Sequence, residues 1–228
     1  LQQICRTMAD TGIHRVFDFT DPANPAQLKQ WTYPGAFTHN SWPDATGNWV
    51  YVTDERYGEP LKVFDITNLD APVLENGITS NPGAIVHNAH VLGNELYLAN
   101  YTEGIRVLDV TDPMHPAEFA YHDTYAGTSG DYNGVWGVCP YFPSGTVIAS
   151  DRNSGLYVYR VNRDYGRVRV IAMTGVPLPG VHVYLDGADS LVTASDGAAV
   201  FAANPGAHVV TLRAFGYEDA VAGVNAVA

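Results

Sequence analysis

One short segment recurs four times along this chain, and it restricts the possible folds more than any other feature. The copies occupy residues 14–18, 61–65, 105–109 and 156–160, and their central valines are 47, 44 and 51 residues apart. Apolar and polar residues alternate within the segment, which is typical of a half-buried β-strand. A repeat of about 40–50 residues is the length of one four-stranded blade of a β-propeller. The spacing therefore predicts a propeller-type repeat.

Each copy lies in a wider repeated unit. An inner strand that carries a His-Asn pair is followed by a second strand, a tight hairpin, the L-x-V-x-D strand, a D-P-x-x-P turn and an outer strand. We expect complete blades at residues 35–78 and 83–125, with partial blades at 13–34 and 133–161. Negligible helix is expected. The predicted strand segments are 49–53, 61–66, 73–78, 95–99, 105–110, 117–121, 146–150 and 156–161.

Glycine and acidic residues mark the turns of this unit. Gly104 and Gly155 align in the hairpin before the L-x-V-x-D strand, where a positive φ is needed. Asp109 ends one such strand and is interpreted as structural. The acidic residues of the D-P-x-x-P turns are interpreted as turn formers because their spacing does not match a calcium loop.

The candidate ligand-binding residues are His39, His87 and Trp136, which occupy the same repeat position. In a propeller, this position on the innermost strand faces the central channel. Imidazoles that converge there could bind Cu, Zn or Fe, but each histidine could equally be a structural latch to the next blade, and we favour that interpretation. Asn40 and Asn88 are expected to point between blades and to tie strands together.

Composition excludes several classes of function. The formal net charge is −12, and Lys29 and Lys62 are the only lysines, so a nucleic-acid partner is not expected. No apolar run is long enough to predict a membrane span. No motif of a nucleophilic, zinc-protease or phosphate-binding site occurs. Cys5 and Cys139 are not in a C-x-x-C pattern. Because Cys5 lies in a stretch without clear structure, we expect two free thiols.

Residues 14–160 resemble proteins with LVIVD repeats, and most closely the choice-of-anchor B group. The residues that carry this resemblance are His87-Asn88, residues 99–102, 104–110, 123–125 and 141–145, and Trp136. The resemblance implies an open propeller on a secreted or surface-displayed protein, extracellular or at the cell surface, with no established reaction. Members of the group extend further at the N-terminus, so N-terminal blades outside this sequence are expected to complete the ring.

The C-terminal residues have a different pattern. Short alternating strands are predicted at 181–185, 198–202 and 209–214, divided by glycine turns. The order of these turns resembles the carboxypeptidase regulatory-like domain, a small transthyretin-like β-sandwich that serves as a stalk or spacer. The predicted organisation is thus a partial, open β-propeller at residues 1–165 and a β-sandwich at residues 166–228.

Two function hypotheses follow from the sequence. The first is a non-catalytic, secreted or surface-displayed module that binds a protein or a glycan through its loops. The alternative is a metal-dependent oxidoreductase or lyase with its site in the propeller channel. No cofactor is evident from the sequence, although a metal in the full-length protein would fit the second hypothesis.

Overall fold

The computed structural model of the protein describes residues 3–8, 12–79 and 81–228, and these residues form an all-β structure. Twenty strands lie in six antiparallel sheets, and the described residues contain no helix. A search of the same residues for a helix with the length and apolarity needed to cross a membrane found none. The all-β prediction is therefore confirmed.

The first four sheets follow one another along the chain, and each is a simple meander of antiparallel strands. Sheet 1 contains β1 (Gln3–Met8), β2 (Ile13–Asp18) and β3 (Ala26–Trp31). Sheet 2 contains β4 (Asn40–Pro43), β5 (Trp49–Thr53), β6 (Leu61–Asp65) and β7 (Val73–Ile78). Sheet 3 contains β8 (Asn88–Leu92), β9 (Glu95–Ala99), β10 (Ile105–Asp109) and β11 (Ala117–His122). Sheet 4 contains β12 (Val135–Cys139), β13 (Thr146–Asp151) and β14 (Gly155–Arg160).

Two further sheets form the C-terminal part of the chain. Sheet 5 pairs β15 (Gly166–Ile171) with β18 (Ala198–Ala203). Sheet 6 has the order β17 (Asp189–Val192), β16 (His182–Leu185), β19 (Gly206–Arg213) and β20 (Ala220–Ala226). Apolar residues of both sheets, among them Val168, Val183, Phe201 and Val210, form one shared core.

The chain divides into two compact units. The first comprises Leu1–Met114 and Ala120–Val161, and the second comprises His115–Phe119 and Asn162–Ala228. The candidate ligand-binding residues of the sequence analysis all belong to the first unit.

The middle strands of sheet 2 are buried on both faces. Val50 and Val52 of β5 lie in a core with Tyr33 and Phe64. Tyr51, between them in sequence, points the other way into a core that sheet 3 completes with Leu96 and other residues. Because successive side chains of a strand alternate between its faces, this burial requires a neighbouring layer on each side of sheet 2.

The predicted strand segments coincide with observed strands to within one residue at either end, except that the strand predicted at 209–214 begins three residues earlier, at Gly206. One sequence interpretation was wrong: Cys5 was assigned to a stretch without clear structure, whereas its backbone lies in β1, which pairs in antiparallel register with β2. The apolar alternation of β1 is weak, and backbone pairing with β2 defines the strand instead. Cys139 is a free thiol, and the side chain of Cys5 lies outside the described residues.

The repeated aspartate closes the same turn in three sheets. The Oδ1 atoms of Asp18, Asp65 and Asp109 accept hydrogen bonds from the backbone N–H two residues later, at 2.8, 2.7 and 2.8 Å. A carboxylate that accepts a nearby backbone N–H stabilises a turn locally. The aspartate is thus a structural element of the repeat.

One face of β14 is open to solvent. Leu156 and Val158 are 64% and 66% exposed, whereas the equivalent residues of sheet 2, Leu61 and Val63, are fully buried. An exposed apolar face of this kind favours association with another surface.

Gly104 and Gly155 offer a matched pair for testing the hairpin. Their φ angles are +73° and +94°. A Cβ atom at Gly104 would lie 2.0 Å from the backbone oxygen of His122, whereas one at Gly155 would meet no atom within 4 Å. We expect Gly155→Ala to lower the free energy of unfolding by about 1–2 kcal/mol, from backbone strain alone. Gly104→Ala should lower it by more than about 3 kcal/mol, because a backbone atom must also move. Urea unfolding of both variants measures the difference, and equal losses would contradict the close approach.

His14 occupies the position that Leu61, Ile105 and Leu156 take in the other copies of the repeat. Its ring is fully buried and packs against Trp31 with 4.3 Å between ring centroids. Neither ring nitrogen has a hydrogen-bond partner among the described residues. Burial lowers the pKa of His14 to about 4, because the charged imidazolium would lose its hydration.

The depressed pKa of His14 predicts a pH-dependent stability. Between pH 6.5 and pH 4 the unfolded chain binds a proton at His14 that the folded chain does not, so stability falls as the pH falls. We expect His14→Leu to remove about 2–3 kcal/mol of this loss, measured as the free energy of unfolding in urea across that range. His208→Ala is the control. Asp186 raises the pKa of His208, so removing this histidine should leave the loss of stability at low pH in place. An unchanged pH slope in His14→Leu would contradict the prediction.

Candidate functional site

The backbone places His39 and His87 at equivalent points of neighbouring sheets. Each residue immediately precedes the first strand of its sheet, and its N–H donates to a carbonyl of the second strand: His39 to Thr53 at 2.8 Å and His87 to Ala99 at 3.0 Å. In sheet 4, Gly137 pairs with Ser150 as Asn40 pairs with Thr53. Trp136 therefore occupies the repeat position of His39 and His87. It lies next to a register irregularity between Val135 and Gly137.

The side chains of His39 and His87 meet across the boundary between sheets 2 and 3. Their rings stack with 4.6 Å between centroids and an angle of 27°. Glu55 lies against both. Its Oε2 is 3.0 Å from Nδ1 of His39, and its Oε1 is 3.5 Å from Nε2 of His87. One ligand atom from each residue lies within 4.8 Å of the others. We call these three residues the His-Glu cluster.

Glu55 is a residue that the sequence analysis missed, and Tyr101 is another. The Tyr101 hydroxyl donates to Glu55 Oε1 at 2.7 Å. Burial, with the adjacent Glu55 carboxylate, raises the pKa of Tyr101, so the phenol keeps its proton. The tyrosine ring also packs against His87 with 4.6 Å between centroids. Tyr101 thus orients the carboxylate and covers the buried histidine.

Glu55 and Tyr101 share a strained backbone. Their φ angles are +48° and +46°, in the left-handed region that residues with a side chain rarely adopt. Both follow the Asp or Asn at the end of the second strand, so they occupy equivalent positions of the repeat, which we call a column. Arg152 occupies this column in sheet 4. Strain at repeated positions that converge on one cluster is typical of a functional site. The sequence could have indicated Glu55 and Tyr101 through this repeat position, which lies one residue after Asp54, Asn100 and Asp151.

The surroundings of His87 determine the tautomer of its ring. Its Nδ1 lies 2.5 Å from the backbone oxygen of Trp136. A carbonyl oxygen only accepts hydrogen bonds, so Nδ1 carries the proton. Burial, reinforced by the neighbouring His39, lowers the pKa of His87 to about 4. The neutral ring therefore presents the lone pair of Nε2 to the carboxylate of Glu55.

The two asparagines bridge neighbouring sheets. Asn40 Oδ1 accepts the N–H of Ala89 at 2.9 Å, and Asn88 Nδ2 donates to the Trp136 oxygen at 3.2 Å. The Thr53 hydroxyl donates to the His87 oxygen at 2.5 Å. These bonds fix the first strands of sheets 2, 3 and 4 to one another, and so fix the backbone from which the cluster projects.

Loops at one end of sheets 2–4 surround the cluster. In an antiparallel meander, the first and third strands begin at the end where the second and fourth strands finish. The loops at that end are 32–39, 54–60, 79–87 (with residue 80 outside the described residues), 100–104, 123–134 and 152–154. We call them the upper loops. They contact one another, for example through the hydrogen bond from Gly58 N–H to Ala84 O at 3.0 Å.

Exposed aromatic rings lie on the upper loops and beside them. Phe37, Tyr57 and Tyr132 are 38%, 68% and 47% exposed, and Trp136, two residues after the last long loop, is 52% exposed. The Tyr132 ring contacts Tyr101 at 5.3 Å, and the Trp136 ring lies 5.5 Å from that of His87. Tyr132 and Trp136 thus connect the exposed aromatic rings to the His-Glu cluster and Tyr101. His90 is not part of it, because its ring packs between Trp42 and Tyr141.

Comparison with solved structures supports an all-β, propeller-like fold. A candidate 6-phosphogluconolactonase from Bacteroides fragilis superposes with a TM-score of 0.51 at 14% identity, over 99% of this chain and 67% of that chain. PorZ, a surface component of the type-IX secretion system of Porphyromonas gingivalis, gives 0.48 at 10% identity, over 99% of this chain and 37% of its own. A protein from Lactobacillus plantarum gives 0.48 at 13% identity, over 96% and 67% of the two chains. At these identities the likeness concerns the fold alone.

No family model matches the chain. No curated protein matches it either.

The amide of Asn40 can be tested separately from the cluster. Ala89, whose N–H it accepts, is fully buried, so Asn40→Ala should leave that donor unpaired and lower the free energy of unfolding by about 1–3 kcal/mol. Asn40→Asp keeps the accepting oxygen and should recover most of the loss at neutral pH. Chemical denaturation of both variants measures this. Equal losses would show that the bridge from Asn40 to Ala89 does not contribute.

Proposed function

We propose that this chain is a non-catalytic binding module, displayed outside the cell or on its surface, that holds a ligand on the upper loops. One observation carries the proposal: four exposed aromatic side chains, Phe37, Tyr57, Tyr132 and Trp136, lie at one end of sheets 2–4. Large aromatic groups are costly to expose to water, and on loops fixed by a rigid scaffold they are typical of binding surfaces.

The chemistry of this surface favours a neutral glycan over a protein as the ligand. Aromatic rings pack against the C–H faces of sugar rings, as they do against other apolar surfaces. Carboxylates of the same loops, such as that of Glu59, can accept hydrogen bonds from sugar hydroxyls. The net charge of −12 disfavours acidic glycans.

The finer assignment of the fold belongs to this proposal. We assign sheets 1–4 to an open β-propeller of the LVIVD-repeat, choice-of-anchor B type. The shared repeat, the sequential sheets and the burial of sheet 2 on both faces support this assignment. Sheet 1 has three strands among the described residues, and they correspond to the second, third and fourth strands of sheets 2 and 3.

We assign residues 166–228 to a carboxypeptidase regulatory-like β-sandwich that serves as a spacer. The core shared by sheets 5 and 6 supports this assignment. The division between the two compact units, at Val161 and Asn162, lies close to the boundary that the sequence predicts.

A second candidate function has one observation in its favour. The His-Glu cluster brings two imidazoles and a carboxylate together, a donor set that metal-dependent oxidoreductases and lyases use. We prefer the binding module because four exposed aromatic side chains lie beside this cluster on the upper loops and next to them.

The binding surface is tested by removing its most exposed rings. The full chain is screened on an array of neutral glycans, and the affinity for the best ligand is measured by biolayer interferometry. Tyr57→Ala and Trp136→Ala should each weaken binding about 10-fold or more, as removal of a central aromatic residue does at other interfaces. Phe215→Ala removes a fully exposed ring from the second unit and should leave binding unchanged.

Three outcomes would contradict the proposal or change its ligand. A ligand that binds all three variants equally would show that the upper loops are not the binding surface. A chain that binds neither glycans nor extracellular proteins would overturn the binding function. Binding to a protein but to no glycan, with the same dependence on Tyr57 and Trp136, would keep the surface and replace the ligand class.

A further inference from the structure

We propose that His39, Glu55 and His87 bind one divalent transition-metal cation, for which Zn²⁺ is the appropriate probe. The site would use Nδ1 of His39, Nε2 of His87 and a carboxylate oxygen of Glu55. The proposal concerns the His-Glu cluster alone, and it does not depend on the exposed aromatic rings or on the ligand proposed for them.

The distances within the cluster suit a small cation. Zinc ligands lie about 2.0–2.2 Å from the metal, so two ligand atoms of a tetrahedral site are roughly 3.3 Å apart. The carboxylate of Glu55 lies 3.0 Å from the His39 nitrogen and 3.5 Å from the His87 nitrogen. All three ligand atoms can therefore reach one position with small side-chain rotations.

Hydrogen bonds outside the cluster orient two of the three ligands. The Trp136 oxygen holds the proton on Nδ1 of His87, which leaves Nε2 as a free donor of its lone pair toward Glu55. A histidine that binds a metal through one nitrogen usually donates the other N–H to a carbonyl or carboxylate. Tyr101 supports the Glu55 carboxylate in a similar way. The cluster thus has the outer contacts of a metal site.

A metal ion would also relieve an unfavourable contact within the cluster. If Nδ1 of His87 has the single proton of a neutral ring, Nε2 and Glu55 Oε1 face each other at 3.5 Å with lone pairs on both atoms. Such a pair is repulsive unless a proton or a metal ion lies between them. The His87 side chain is only 2% exposed. A metal ion satisfies both atoms without charging the buried ring.

The donor set selects the class of metal. Calcium prefers six to eight oxygen ligands, whereas imidazole nitrogens suit Zn²⁺, Cu²⁺, Ni²⁺ and Fe²⁺. Three protein ligands leave a tetrahedral ion one further position. The side chains of His39 and Glu55 are 26% and 22% exposed, so water can reach this position from the side of the upper loops.

The experiment uses the full chain, with any affinity tag removed and metals stripped by a chelator. Zn²⁺ is titrated by calorimetry, and Co²⁺ is titrated in parallel because tetrahedral Co²⁺ has a strong visible absorption band. We expect one tight equivalent of metal. Glu55→Gln and His39→Gln should weaken Zn²⁺ binding by more than about 100-fold, and Tyr101→Phe should weaken it about 10-fold, as loss of a supporting contact does elsewhere.

His90→Gln is the matched control. It removes a partly buried histidine of sheet 3, the sheet that begins after His87, and this histidine lies outside the cluster. It should bind Zn²⁺ as the unsubstituted chain does. Circular dichroism and urea unfolding establish that each variant is folded. Should Glu55→Gln fail to fold, His39→Gln still tests the site, since its side chain is partly exposed.

Two results would overturn the site. The first is a folded chain without a stoichiometric Zn²⁺ or Co²⁺ equivalent, or with one that Glu55→Gln and His39→Gln leave unchanged. The second is an NMR spectrum of the metal-free chain at pH 7 in which His87 has protons on both nitrogens and added Zn²⁺ does not displace the one facing Glu55. That result would establish an imidazolium–carboxylate ion pair in place of a metal site.

Discussion

Packing between sheets is the interaction on which the first unit depends. Tyr51 enters one core while Val50 and Val52 enter another, so sheet 2 is stabilised only when layers lie on both of its sides. A strand with this burial gains about 25 cal/mol for each Å² of apolar surface removed from water on either face. The stability of a single sheet is therefore not a local property. The exposed Leu156 and Val158 of β14 show what the same repeat position looks like without the next layer.

The repeat supplies a scaffold, and the candidate site lies where the copies differ. The turn-forming aspartates and the middle strands serve the same structural purpose in each sheet. The column that follows the second strand contains Glu55, Tyr101 and Arg152 instead, three side chains of different chemistry. Its left-handed backbone at Glu55 and Tyr101 directs both side chains to the same cluster. A constant scaffold with one variable column can therefore bring chemically different side chains together at one point.

The strands were predicted well from the sequence because they are specified by patterns of neighbouring residues. Alternation of apolar residues and glycine-marked turns defined β5, β6, β9 and β10 to within a residue. β1 was missed because its pairing with β2 defines it, and pairing is not local. Glu55 was missed for a related reason. It is 32 residues from His87 in sequence, and only the packing of sheet 3 on sheet 2 brings the two side chains together. The repeat alignment placed His39 and His87 in one column, but an alignment does not show which other columns converge on it.

Trp136 links the cluster to the exposed aromatic rings through two different groups. Its backbone oxygen fixes the tautomer of His87 and accepts a hydrogen bond from Asn88 Nδ2, while its indole ring is half exposed beside the upper loops. A ligand that packs on the ring would contact the start of β12, whose backbone orients the buried His87. Any coupling between ligand and cation would then be reciprocal, since each would change the affinity of the other by the same factor. Replacing the indole ring leaves the carbonyl in place, so Trp136→Ala would weaken the proposed ligand contact while keeping the oxygen that orients His87.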